Sequence, residues 1–255
     1  MRNISTAFGH LRRTSCTISL PTSVRVVSFD AMDTVITMSE PFNIVYSRVL
    51  KDFGFYVDPP RVAATFSKYM ESLSSSYPCF GWNSIGDYEW WKRVIQGCLT
   101  EACVSTIPSD DIAAIARRLF GFYTTTNAWR IVDPELENVI TKLRERGIGT
   151  AIVSNFDTRL RQILLNMNIH HLFDVVVASG EHGVEKPDPN IFKIITDHYG
   201  LSSPSELLHV GDSYRNDYQG AKNFGAHAIL FEPYGKNRDV FATRRIMSFT
   251  ELNVE

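Results

Sequence analysis

Val24, Val26, Val27 and Phe29 form a short, β-branched and largely apolar run that ends on Asp30. That is the pattern of a buried central strand carrying a carboxylate at its C-terminal end. From Pro41 to about Tyr123 the apolar period becomes helical, and helices are predicted over Pro41–Phe53, Pro60–Leu73, Asp87–Leu99 and Ser109–Phe122, the last capped by Ser109. Serines 74–76 with Tyr77 and Pro78, and the stretch from Gly81 to Gly86, read as loops inside this helical block. No convincing strand interrupts it.

Beyond Trp129 strands and helices alternate. Asp133 is expected to cap a helix that opens with Pro134 and stops at Gly147. Strands follow at Ile148–Ser154, Asp174–Ala178, Leu207–Val210 and Ala226–Phe231, with helices at Thr158–Met167, Asp188-Pro189 to Tyr199, and Tyr214–Phe224. Such alternation predicts an α/β fold, a doubly wound and mainly parallel sheet of Rossmann-like type. The expected domains are an α/β core over 24–40 and 124–255, a helical cap over 41–123, and a tail over 1–23. Hinges are expected near Met38–Pro41 and Tyr123–Trp129, letting cap motion gate the site.

Composition narrows the functional classes. With 44% hydrophobic and 21% charged residues in 255, the chain is that of an ordinary globular protein. A formal charge of −2 supplies no field to hold nucleic acid or an anionic membrane, so neither is expected as a main partner. No apolar run approaches the length of a membrane span, and a soluble protein is expected. From Met1 to Phe29 there is no acidic residue, while Arg2, Arg12, Arg13 and Arg25 sit among serines and threonines. This reads as a mitochondrial targeting segment or as a basic tail, and in either case as two dozen residues that add nothing to the core. Cys16, Cys79, Cys98 and Cys103 lack the spacing of a zinc site and read as reduced thiols of an intracellular protein, mitochondrial or cytoplasmic.

The chemistry gathers where a parallel sheet puts it, outside the carboxyl ends of the strands. Asp30, Ser154-Asn155, Lys186, and Gly211-Asp212 with Asp217 close behind all fall there. Clustered carboxylates raise one another's pKa unless a cation compensates, and oxygen-only ligands favour Mg²⁺. A phosphoryl group is anionic as well, so a carboxylate nucleophile approaches it only behind a metal and a lysine. Asp30 is the expected nucleophile, with Ser154, the adjacent Asn155 and Lys186 binding the phosphoryl oxygens of a small phosphorylated metabolite.

Taken in order, Asp30 with Thr34, Ser154, Lys186, and Gly211-Asp212 with Asp217 resemble the four motifs of the haloacid dehalogenase superfamily, with a helical cap inserted after the first. The resemblance covers about residues 24–232 and implies a Mg²⁺-dependent hydrolase working through an aspartyl-phosphate on Asp30. It further implies metal contacts from Asp30, the backbone carbonyl of Met32, Asp212 and Asp217. In the family's phosphatases the residue two after the nucleophile is an Asp serving as general acid and base; here it is Met32. Asp33, one residue later, points away from Asp30 on an extended segment and substitutes only if the chain turns sharply. Two alternatives use the same residues. One is a dehalogenase or a phosphonatase, the latter drawing a Schiff-base lysine from Lys51, Lys68 or Lys92; the other is a catalytically silent protein that binds metal and phosphate.

Overall fold

The computed structural model describes residues 17–103, 106–235, 237, 240 and 242–254. Along the chain run β1 (Ile18–Ser19), β2 (Val26–Phe29) and β3 (Ile36–Met38), then α1 (Phe42–Asp52), α2 (Pro59–Ser76), α3 (Pro78–Gly81), α4 (Asp87–Ala102) and α5 (Ser109–Phe122). There follow β4 (Trp129–Ile131), α6 (Leu136–Glu145), β5 (Gly149–Ser154), α7 (Leu160–Asn166), β6 (Val175–Ala178), α8 (Ser179–His182) and α9 (Pro189–Tyr199). The chain closes with β7 (Leu207–Gly211), α10 (Gly220–Phe224), β8 (His227–Phe231), β9 (Arg245–Ile246) and β10 (Leu252–Asn253).

β2 lies inside a parallel sheet of order β6-β5-β2-β7-β8-β9. All four of its residues are buried, as its apolar run requires of a strand covered on both faces. Its side chains alternate: Val27 and Phe29 enter the cluster containing Ile140, Leu143, Leu160 and Ile163, while Val26 enters the opposite one with Ile191, Phe192 and Ile195. Burial of a side chain such as Phe29 contributes about 1.5–3 kcal/mol. From β2 the path moves outward through β5 to β6, then returns to β7 on the other side. The order therefore reverses beside β2, and a crevice opens at the carboxyl ends of β5, β2 and β7.

Helices α1, α2, α4 and α5 enclose an apolar cluster of their own that includes Tyr46, Leu50, Ile95, Leu99, Ile115 and Leu119. The chain enters and leaves this helical layer through an antiparallel ribbon in which Met38 faces Trp129 and Ile36 faces Ile131. Three-residue strands are too short to register as a period, so the ribbon was not anticipated.

Several local expectations are corrected. Pro108, not Ser109, precedes the first turn of α5, and no side chain caps it. Serines 74–76 are helical, and the break falls at Tyr77. Asp133 caps the turn before α6, accepting from Glu135 N at 2.9 Å, and its second oxygen accepts from Phe249 N at 2.7 Å. Asp188 does cap α9, accepting from Asn190 N at 2.8 Å.

The expectation that the first two dozen residues add nothing to the core fails from Ile18 onward. β1 pairs with β10, Ile18 opposite Leu252, while Ile18 and Leu20 pack on the core and Val24 is buried in it. These partners lie more than two hundred residues away, beyond the reach of any sequence window. The targeting reading and Cys16 fall on residues 1–16, outside the described residues. Cys79, Cys98 and Cys103 are free thiols. Among the described residues no helix is long and apolar enough to cross a membrane.

Candidate active site

Asp30 follows β2 directly, and its backbone N–H donates to Val210 O at 2.9 Å, anchoring it between β2 and β7. Opposite stands Lys186, whose side chain is buried and whose ammonium donates to Asp30 Oδ1 at 2.6 Å, Asp217 Oδ1 at 2.5 Å and Val153 O at 2.8 Å. An ammonium has three protons, and here each has an acceptor. The Lys186 backbone is clamped by Asn155, which accepts from Lys186 N at 2.7 Å and donates to Lys186 O at 2.8 Å. Asn155, expected among the phosphoryl binders, lines the site and holds the lysine loop in place with both ends of its side-chain amide.

Asp217 is tied from behind as well. Its Oδ2 accepts from Ser213 N at 2.8 Å, and its Oδ1 lies 3.0 Å from His209 Nε2. A carboxylate only accepts, so a neutral His209 carries its proton on Nε2, and Nδ1 accepts from Ser28 Oγ at 2.8 Å. Ser28 and His209 face each other across the β2–β7 ladder, which sets this contact. Gly211 leaves the necessary room, since a Cβ there would stand 2.3 Å from Asp217 Cγ.

Burial pushes the Asp30 carboxyl up, opposed by Lys186 and reinforced by Asp217. Burial alone would also raise Asp217, but the Lys186 charge and the His209 hydrogen bond outweigh it and hold this carboxyl well below its usual range. Lys186 is raised despite burial, because both carboxylates favour its charge. Burial keeps His209 below the ordinary imidazole value.

Asp212 completes the acidic group. Carboxylate oxygens of Asp30, Asp212 and Asp217 lie within 4.8 Å of one another. Hard oxygen donors in that arrangement fit a Mg²⁺-type ion. Ser154 sits at the end of β5, and its buried Oγ lies beside Asp30, whose carboxyl pKa it helps to hold down, without forming a well-aligned hydrogen bond. Together with Asp30, Lys186, Asp212 and Asp217 it lines a small cavity of about 220 Å³, large enough for a tetrahedral oxyanion.

Met32 and Asp33 line the same cavity. The segment after Asp30 is not extended: the N–H groups of Thr34, Val35 and Ile36 all turn back to Ala31 O, and Asp33 takes the left-handed conformation at φ 58°. Asp residues tolerate that region better than most. The sharp turn brings Asp33 to the cavity wall, where its Oδ1 accepts from Thr37 Oγ1 at 2.6 Å.

A model of the haloacid dehalogenase-like hydrolases matches residues 24–225. The chain belongs to that family. The haloacid dehalogenase-like hydrolase domain-containing protein 3 of Bos taurus is 30% identical over 208 residues, covering 81% of each chain. Among solved structures, the magnesium-bound HAD-hydrolase YfnB from Bacillus subtilis superposes with TM-score 0.67 at 17% identity, over 89% of this chain and 96% of that one. A 2-haloacid dehalogenase from Pseudomonas syringae gives TM-score 0.63 at 20% identity, with coverages of 89% and 96%. At such identities the structures speak for the fold.

Within this haloacid dehalogenase-like chain, sequence reasoning missed the roles of Ser28 and His209. The one available signal was a buried-strand histidine next to an acidic motif. None of the three lysines considered for a Schiff base lines this cavity; Lys68 pairs with Glu101 and Lys92 with Glu89. Trp90 is buried in the helical layer, whereas Trp91 donates to Asp157 of the sheet layer at 2.7 Å, and Trp82 is partly exposed and covers Gly183. His171 and His182 are exposed, and His170 is half-buried.

Proposed function

We propose that this hydrolase is a Mg²⁺-dependent phosphatase of small phosphate monoesters, using Asp30 as nucleophile. The observation that carries the reading is the buried Ser154 hydroxyl next to Asp30, at the edge of a group of three carboxylates that can hold a cation. A buried hydroxyl donor on the cavity wall suits an oxyanion that arrives with substrate. A halide leaving group would need neither this donor nor a cation, which weighs against the dehalogenase alternative.

Asp30, Asp212 and Asp217 would hold the metal, with the carbonyl of Met32, and the ion would screen the carboxylates from the phosphoryl group. Lys186 occupies Asp30 Oδ1, leaving the other oxygen to attack phosphorus. As the new O–P bond forms, the ester oxygen leaves with its electron pair, Ser154 donates to a phosphoryl oxygen, and the Lys186 charge, fixed by its three acceptors, lies beside the phosphoryl group. Water then attacks the aspartyl-phosphate, releasing phosphate and restoring the Asp30 carboxylate. Lys186 is kept charged and fixed by Asp217, which is itself fixed by His209 and Ser213 N.

The test is a panel of phosphate monoesters with and without Mg²⁺, run beside Asp30→Asn. Metal-dependent release of phosphate that vanishes in the variant is expected. Binding of metal and a phosphate analogue without turnover of any ester would favour the silent binding protein instead.

A further inference from the structure

A second cavity, of about 250 Å³, lies between the helical layer and the sheet. Met32 and Asn155 line both it and the polar cavity, so the two adjoin beside the segment that follows Asp30. Its walls are aromatic. Phe66 and Phe80 each stack on Trp91, at 6.3 and 6.1 Å between centroids, Phe42 lies 4.3 Å from Phe66, and Trp129 packs against Phe156 at 5.8 Å.

The polar groups of this chamber are largely spoken for. Trp91 Nε1 donates to Asp157 Oδ2, and the Arg159 guanidinium is engaged by Asp157 and Phe120 O while lying 3.9 Å over the Phe120 ring. Among the described lining residues, Tyr123 Oη is buried with no hydrogen-bond partner. A polyol in this space would surrender hydrogen bonds to water and regain few. A dry apolar cavity of about 150 Å³ already holds benzene, so the larger chamber admits more than one ring.

We propose that the chamber takes an aromatic group carrying a single polar substituent, and that on the phosphatase reading above this group is the leaving group of an aryl phosphate. Shape and chemistry agree on this. Met32, at the junction, has no proton to give, which favours a leaving oxygen that can depart as an anion. A phenol, ionising near pH 10 as in tyrosine, tolerates that far better than an alcohol. The aromatic ring would lie between walls such as Phe66 and Trp129, with its ester oxygen directed past Met32 toward Asp30, and Tyr123 Oη would meet the substituent.

The experiment compares 2-naphthyl phosphate with phenyl phosphate, two aryl esters of similar leaving-group acidity, and adds glycerol 3-phosphate, all at saturating Mg²⁺ on the full chain. Separately, 2-naphthol alone is titrated against tryptophan fluorescence, a measurement that needs no turnover. We expect a KM about tenfold lower for the naphthyl than for the phenyl ester at similar kcat. Saturable 2-naphthol binding is also expected, with both effects reduced in Phe66→Gln. No 2-naphthol binding together with equal KM values would overturn the aromatic site, and would leave the phosphatase reading standing if both esters are hydrolysed. Binding of 2-naphthol that Phe66→Gln weakens, with no ester turned over, would uphold the site and reject the phosphatase reading.

Discussion

The indole N–H of Trp91 donates to Asp157 Oδ2 at 2.7 Å, joining the helical layer to the loop that leaves β5 three residues after Ser154. Asp157 is 1% exposed and is otherwise held by Arg159, whose guanidinium reaches back to Phe120 O at 3.0 Å. Trp91→Phe keeps the ring and deletes the donor. A buried carboxylate that loses a partner should cost about 1–3 kcal/mol, to be read from urea unfolding midpoints. Because the same residue lines the aromatic chamber, KM for aryl esters should rise more than kcat falls. An unchanged midpoint would mean that this contact does not hold the layers together.

Mg²⁺ should raise the melting temperature, because an ion that binds only the folded state stabilises it by mass action. Asp212→Asn should weaken the shift. The site assignment fails if Asp30→Asn/Asp212→Asn leaves the shift unchanged.

Met32→Asp supplies a proton donor two residues after the nucleophile. General acid–base catalysis contributes about 10²–10⁴-fold, so alkyl phosphate turnover should climb toward that range and aryl turnover much less. Mg²⁺ must be saturating, since the added carboxylate increases local negative charge. Asp33→Asn is the companion variant: Asp33 already lines the cavity, and a loss confined to alkyl esters would identify it as the resident acid. Undetectable alkyl turnover in a folded, metal-binding Met32→Asp protein would end the lost-acid account.

His209 sets a pH dependence of stability. Burial lowers its pKa in the folded state, partly offset by Asp217, whereas the unfolded imidazole titrates at about 6.5. Below about pH 6.5 the unfolded chain therefore binds more protons than the folded one, and stability falls with falling pH until the folded value is passed. This contribution is fully present above pH 6.5. Urea midpoints between pH 7.5 and 5 should decline, and His209→Gln, though less stable at neutral pH, should flatten that part of the slope. A parallel decline in the variant would assign the effect to other groups.

The order of elements and the residues at strand ends were legible in the chain. An apolar β-branched run such as Val26 to Phe29 can be satisfied only by burial on both faces, and alternation with helices makes the sheet parallel. Parallel strands all end on one side, so Asp30, Ser154, Lys186, Asp212 and Asp217 had to share a region. Which of them touch was decided by packing across long separations. Lys186 meets Asp30 and Asp217 because Asn155 clamps its loop, and Asp217 meets Lys186 because the pairing of Ser28 with His209 places an imidazole behind it. The turn that carries Asp33 to the cavity depends on three N–H groups converging on Ala31 O, a geometry that side-chain periodicity does not encode. The aromatic chamber has the same origin. Phe66, Trp91 and Trp129 belong to α2, α4 and β4 and Phe156 to the loop after β5, and only the docking of the helical layer on the sheet makes them into one wall.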